Sequence, residues 1–207
     1  GPFRGPSRDD LLPVTQDHAL KPPTWDLGSK ITIDSASMMN KGLEVIEARW
    51  LFDVHMDQIE VVIHPQSIVH SCVQFQDGSI KAQLGLPDMK LPIQYALGYP
   101  RRLPNSFERF RFFDYPELTF EQPDLHAFRN LQLAFDAGNQ GGNSPAVLNA
   151  ANEIAVARFL QDELTFTGMT SAIEHALSGV SWEKDPDLEQ LIESDLAARS
   201  IAREYVG

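Results

Sequence analysis

Ser35, Asn40, Lys41 and Glu44 crowd into one run, Asp34 to Phe52, which reads DSASMMNKGLEVIEARWLF. Asn40 and Glu44 are four apart and Lys41 and Glu44 three apart, so on a helix the three share one face. Met39, Leu43, Ile46 and Trp50 recur at helical spacing and form an apolar stripe beside that face. Asp34 or Ser35 is suited to cap the helix, because a short side-chain oxygen accepts from the amides of a first turn. Those amides are the positive end of the helix dipole, and with Ser35, Asn40 and Lys41 they offer a seat for a phosphate-like anion. One turn on, Glu44 offers a carboxylate to a hard metal ion or to a hydroxyl. An anion seat beside a metal carboxylate is what an enzyme of phosphorylated sugars requires. On spacing alone a plainer arrangement competes: Ser35 as a cap only, and Lys41–Glu44 as a surface pair contributing about 0.2–0.5 kcal/mol.

Other elements must position this run. Residues 1–29 hold Pro2, Pro6, Pro13, Pro22 and Pro23 and read as an extended or looping segment without a long helix. Trp25 and Leu27 close it next to Gly28, where the Trp either pins the loop or belongs to a lid. Ile31–Ile33 reads as a short strand entering the helix. Ile59–Ile63 is a further β-branched run. Ser67–Phe75 and Ser79–Leu84 flank Asp77-Gly78, a strong hairpin signal. A turn at Pro87-Asp88-Met89 opens a helix ending near Gly98. Residues 101–123 form an aromatic-rich connection. Helices are expected over Leu125–Ala137, stopping at Gly138; over Ala146–Leu160, capped by Ser144-Pro145; and over Thr170–Leu177 and Pro186–Tyr205. The fold class is therefore α+β: a small mixed sheet with packed helices, the run from Asp34 lying on it, followed by a C-terminal α-helical bundle. The expected divisions are 1–98 with a flap over 1–29, a connection over 99–124, and the bundle over 125–207.

Composition excludes several classes. With 207 residues, 43% of them hydrophobic, and a net charge of -12, the chain does not suit a nucleic-acid or anionic-membrane surface. Its single cysteine, Cys72, rules out an intrachain disulfide framework and reads as a buried thiol in an alternating run. No apolar run has the length of a membrane span, so a cytoplasmic setting is expected. The opening GPFRGPSRDD has no initiator Met, and an N-terminal truncation is expected.

His64 and His70 flank Ser67 in IHPQSIVHS, a weak metal pair that reads better as structural; Ser67, after Pro65, can reach an anion directly or through water. Asn149, Asn152 and Glu153 make a polar patch on an apolar helix. A buried asparagine must find partners, so hydrogen bonding at a domain or subunit contact is expected. No Gly-rich dinucleotide or P-loop fingerprint occurs in the chain.

Taken together, GPFR, TWDLG, DSASMMNKGLEVIEARWLF, IHPQSIVHS, QDGSIKAQLGLPDMKLPI and LNAANEIAVARF resemble the C-terminal part of the 1-deoxy-D-xylulose 5-phosphate reductoisomerases. The resemblance runs nearly end to end. It implies rearrangement of a ketose phosphate followed by hydride reduction from NADPH, with Mg²⁺ or Mn²⁺ polarising the substrate oxygens. It implies a phosphosugar substrate and a homodimer. By the same resemblance Ser35, Asn40 and Lys41 match phosphate and hydroxyl ligands, with Lys41 and Glu44 at the catalytic centre and Glu44 one of three carboxylate metal ligands. Ser67 matches a water-mediated phosphate contact, and Trp25 lies in the substrate-closing flap. Leu27 takes a flap position usually held by methionine, and Pro87 with Met89 matches a wall near the nicotinamide. The family's NADPH-binding domain, two metal carboxylates and a catalytic lysine would lie upstream of Gly1. Where the family has a flap histidine, this chain reads Lys21-Pro22-Pro23-Thr24-Trp25; Pro22 cannot donate a hydrogen bond, so weaker closure is expected.

The expectation is that this polypeptide alone neither holds the metal tightly nor reduces substrate. The competing classes are a non-catalytic dimerisation or binding module, and another phosphosugar isomerase or aldolase.

Overall fold

The computed structural model describes Phe3 and residues 9–20 and 28–207; Trp25, Leu27 and Pro22 of the expected flap lie outside the described residues. In chain order the helices are α1 (Gln16–Ala19), α2 (Ser29–Ala36), α3 (Met39–Phe52), α4 (Lys90–Gly98), α5 (Arg129–Gln140), α6 (Ser144–Phe159), α7 (Phe166–Gly179) and α8 (Leu188–Glu204). The strands β1 (Val69–Gln74) and β2 (Ile80–Leu84) lie between α3 and α4. The chain is thus α+β, as expected. It groups into two compact units, Gly1–Val61 with Pro123–Gly207, and Val62–Gln122. These units cut across the expected divisions, because α2 and α3 pack on helices from the far end of the chain.

In the first unit α6 lies at the centre. Leu148, Ala150, Ala151 and Ala155 are fully buried, and α5, α7, α8 and α2 all pack on it. A mostly apolar helix of this kind belongs in the interior, and its alanines let neighbours come close. Asn143, with Pro145 in the first turn, stands at the N-cap in place of the expected Ser144. Its amide is buried: Nδ2 donates to Ser194 Oγ and the Ser181 carbonyl, both at 2.9 Å, and Oδ1 accepts from the Glu183 amide at 3.0 Å. A Cβ on Gly142 would lie 2.0 Å from the Glu183 carbonyl oxygen, so this turn admits no side chain. At the other end Arg158 Nη1 donates to the Ala202 and Tyr205 carbonyls, satisfying the open end of α8. Asp187 and Gln190 form a capping box at its start.

Several expectations change here. Ile31–Ile33 is helical, within α2: Thr32, Ile33 and Ala36 share its buried face, and that burial overrides the β preference of the branched side chains. The run from Asp34 is two helices, broken at Ser37-Met38, with Met38 left-handed at φ 61°. Asp34 and Ser35 therefore cap nothing; they sit in the last turns of α2. α3 lays Met39, Gly42, Val45 and Ile46 on α5, whereas Trp50 is 71% exposed. The two helices advance together, Gly42 opposite Ala134 and Ile46 opposite Gly138, and α5 ends at Gln140 before it can cover Trp50. α5 also continues through Gly138, where it was expected to stop.

In the second unit β1 and β2 form the expected hairpin, antiparallel only, with Gln74 opposite Ile80. Ser79 closes the turn on Asp77 Oδ1 through its hydroxyl (2.6 Å) and its amide (2.9 Å), which hold the Asp77 carboxyl below its ordinary range. Ile59–Ile63 is not a strand; only Ile63 bridges, to Glu121. Cys72 is exposed, not buried, because the strand is left open on both faces. Ile68 is the fully buried aliphatic anchor of this unit, while Val73, Ile80, Ile93, Phe112 and Phe113 are all more than half exposed.

The tightest helix contact yields a test. A Cβ on Gly42 would lie 2.5 Å from Ala134 Cβ, so Gly42→Ala must push α3 off α5. The expected loss is about 1–3 kcal/mol, read by thermal unfolding as a fall of roughly 2–10 °C. An unchanged melting temperature would contradict the packing.

Candidate functional site

The corner between α2 and α3 gathers four of the residues singled out by spacing. Ser35 is half-buried in the last turn of α2, and its carbonyl accepts from the Met38 amide at 3.4 Å. The chain turns through buried Ser37, whose Oγ donates to the Asp34 carbonyl at 3.3 Å, and through left-handed Met38. α3 then begins, with Asn40 and Lys41 in its first turn. Asn40 Nδ2 donates to Glu44 Oε1 at 2.7 Å, and Lys41 Nζ pairs with Glu44 Oε2. The Lys41 and Glu44 side chains are 43% and 46% exposed, so the pair is open to solvent. An ammonium and an amide donor are held beside the positive end of a helix. That arrangement can take an anion at Lys41 while Glu44 turns to a cation or a hydroxyl.

A left-handed methionine is uncommon and mildly strained. Its effect here is to stop α2 and restart the chain as α3, so that a fresh N-terminus stands directly after Ser35.

Sequence reasoning missed Asp34 as a site neighbour. Its carboxylate is buried, with Oδ2 accepting from Lys30 Nζ at 2.7 Å and Oδ1 from Asn152 Nδ2 at 2.8 Å. The available signal was an acidic residue between apolar Ile33 and Ala36, matched by an asparagine in the alanine-rich helix. Asn152 was expected at a domain or subunit contact; it bonds instead within its own unit. Glu153 does likewise, pairing with Arg199 of α8 at 2.7 Å. Asp195 and then Glu153 raise the pKa of that guanidinium, which stays charged throughout.

The remaining described site residues, Ser67, Pro87 and Met89, belong to the second unit. Ser67 is half-buried and left-handed (φ 50°), with its amide donating to the His64 carbonyl at 3.0 Å. His70 Nε2 bonds the Ser67 carbonyl at 2.9 Å, and His64 Nδ1 bonds the Thr119 carbonyl at 2.8 Å while stacking on Phe120. Both histidines are thus engaged by backbone carbonyls, as the structural reading expects. Pro87 is half-buried and Met89 is exposed at the start of α4. Between them the Asp88 carboxyl, which accepts from the Lys90 amide at 2.9 Å, is held below its ordinary range.

Among the described residues, no group of three His, Cys, Asp or Glu side chains is placed to hold a metal ion. Glu44 fits as one oxygen donor to a hard divalent ion, and a complete site needs several more. No dinucleotide-binding fingerprint is present in the sequence either.

Three substitutions at two positions separate residues held for stability from residues held for chemistry. Glu44→Ala removes an exposed pair and should change stability by no more than about 0.5 kcal/mol. Ser67→Gly relieves a left-handed side chain and should stabilise by about 1 kcal/mol, whereas Ser67→Ala should not. Chemical denaturation of the three variants checks both, and a strongly destabilised Glu44→Ala would make the pair structural.

Residues 84–201 match the family model of the DXP reductoisomerase C-terminal domain, and residues 1–52 match that of the 1-deoxy-D-xylulose 5-phosphate reductoisomerase C-terminal domain. The 1-deoxy-D-xylulose 5-phosphate reductoisomerase of Bacteroides fragilis is 57% identical over 206 residues, which cover 100% of this chain and 53% of the relative. The solved enzyme of that name from Zymomonas mobilis, in complex with NADPH, superposes with a TM-score of 0.90 at 42% identity, over 98% of this chain and 52% of that one. A second solved structure, DOX-P reductoisomerase in complex with NADPH, fosmidomycin and magnesium, gives 0.86 at 40% identity, over 96% and 51%. The chain therefore spans about half the length of the relatives it matches. With more than half of its residues inside one family model, the chain belongs to the 1-deoxy-D-xylulose 5-phosphate reductoisomerase family.

Proposed function

We propose that this chain is the C-terminal part of an NADPH-dependent, metal-assisted reductoisomerase that converts 1-deoxy-D-xylulose 5-phosphate to 2-C-methyl-D-erythritol 4-phosphate, for isoprenoid precursors by the methylerythritol phosphate route. The observation that carries this is the clasp of Glu44 by Asn40 and Lys41 at the start of α3, directly after the Ser37-Met38 turn that follows α2 and its Ser35.

In this reading the Ser35 hydroxyl, the Asn40 amide and the Lys41 ammonium bind the phosphate and an adjacent hydroxyl of the substrate. Lys41 now shares its charge with Glu44; a phosphate dianion draws it away and frees a carboxylate oxygen. Glu44 would be one ligand of Mg²⁺ or Mn²⁺, which when bound polarises substrate oxygens as a Lewis acid. Ser67 contributes to the phosphate site through water. Trp25 and Leu27 belong to a flap that covers the bound substrate and excludes solvent. Pro87 and Met89 line the nicotinamide side. Phosphate binding fixes the remote end of the substrate, so its reacting carbons are presented in one orientation.

A homodimer and a cytoplasmic setting complete the proposal. The open hairpin and exposed aromatics of the second unit support the dimer, since an isolated two-stranded hairpin is marginal by itself. A single cysteine fits a reducing compartment.

The test uses the full-length protein that contains these residues. It should oxidise NADPH with 1-deoxy-D-xylulose 5-phosphate and Mg²⁺ or Mn²⁺, lose turnover in EDTA, and fall at least about 100-fold on Glu44→Ala. Light scattering on the same sample should give the mass of a dimer, and cell fractionation should recover it with the cytosol. The 207-residue chain alone should not turn over. Turnover by that chain above its own Glu44→Ala control would overturn its expected inactivity; absence of turnover by the full-length protein would overturn the assignment, and full activity of its Glu44→Ala variant the role of Glu44.

A further inference from the structure

Asp34 precedes Ser35 and is 3% exposed, yet it carries a carboxylate. Burying an ion is unfavourable unless every oxygen is answered. Lys30, one turn earlier on α2, answers Oδ2 at 2.7 Å, and Asn152, 1% exposed on α6, answers Oδ1 at 2.8 Å. The Asp34 carbonyl is also in use, accepting from Ser37 Oγ at 3.3 Å, while the Ser37 amide donates to the Ile33 carbonyl at 2.9 Å.

The last turn of α2 and the Ser37-Met38 break are therefore tied to the central helix through the Asp34–Asn152 contact. Apolar residues adjoin it in sequence: Ile33 and Ala36 on α2, and Ala151 and Ala155 on α6, are buried. An aliphatic pair would fill such a place more cheaply, because replacing a buried ionic group by well-packed apolar residues is often neutral or stabilising. What the charged pair adds is direction. An amide–carboxylate bond fixes the rotation and height of α2 on α6, which apolar packing sets only loosely.

We infer that Asp34 and Asn152 are positioning residues for the anion seat: their hydrogen bond sets where the Ser35 hydroxyl and the start of α3 stand. This rests on the proposed reading of Ser35, Asn40 and Lys41 as phosphate ligands. Neither Asp34 nor Asn152 touches the substrate.

The experiment compares full-length wild type, Asn152→Ala and Asn152→Ser, at a temperature where circular dichroism shows each variant folded. Three quantities are measured: KM for 1-deoxy-D-xylulose 5-phosphate, kcat, and the inhibition constant of inorganic phosphate. In Asn152→Ala, KM and the phosphate constant should rise together, roughly tenfold or more, with a smaller change in kcat. Asn152→Ser, which keeps a donor of shorter reach, should fall between, and it carries the test if Asn152→Ala does not fold. A folded variant with a lower melting temperature but KM and phosphate inhibition within twofold of wild type would reduce the pair to a stabilising contact and overturn the inference. A wild type that turns over substrate but is not inhibited by phosphate would overturn it as well. A wild type with neither property would instead remove the phosphate-seat reading on which it stands.

Discussion

The packing of four helices on α6 is the constraint on which the first unit depends. A helix packed by four neighbours can bring them close only where its side chains are small, and Ala150, Ala151 and Ala155 supply that. Close approach then leaves no room for slack at the ends, so the ends are bonded: Asn143 ties the start of α6 to the α7–α8 connection, and Arg158 ties its end to the last carbonyls of α8. The same logic explains the rare polar residue in its middle. Asn152 faces α2, where its amide meets a carboxylate rather than a methyl group.

The chemical corner grows out of that packing. α2 is held against α6, α3 is held against α5 through Gly42, and the chain between them must reverse its course within Ser37 and Met38. The left-handed Met38 is the outcome of two helices fixed independently by their neighbours. A helix N-terminus, a serine, an amide, an ammonium and a carboxylate end up together because the helices that carry them have nowhere else to go.

Much of this was legible in the sequence, and the failures have physical causes. Asp77-Gly78 announced the hairpin because a tight turn depends on nearest neighbours alone. The alanine-rich run announced α6 because local helix propensity is strong there, with a proline in its first turn. The side-chain clasp at Glu44 was legible for the same reason, being set by spacing within one turn. By contrast, Ile31–Ile33 has the branched side chains of a strand and is helical because α6 and its neighbours cover one face. Met38 has no turn signature of its own. Asp34 shows in the sequence only as an acidic residue in an apolar stretch, because its partner Asn152 lies 118 residues away. What long-range packing decides, local pattern does not reveal; the roles of the flap residues rest on resemblance alone.

Cys72 began as a supposed interior thiol and stands exposed on β1, in a chain with no other cysteine. That makes this chain a one-position labelling substrate. A maleimide dye or spin label attached there needs no engineered mutation and reports from the strand itself. Because β1 lies in the unit with the most uncovered apolar surface, such a label would sense directly any chain that comes to cover it.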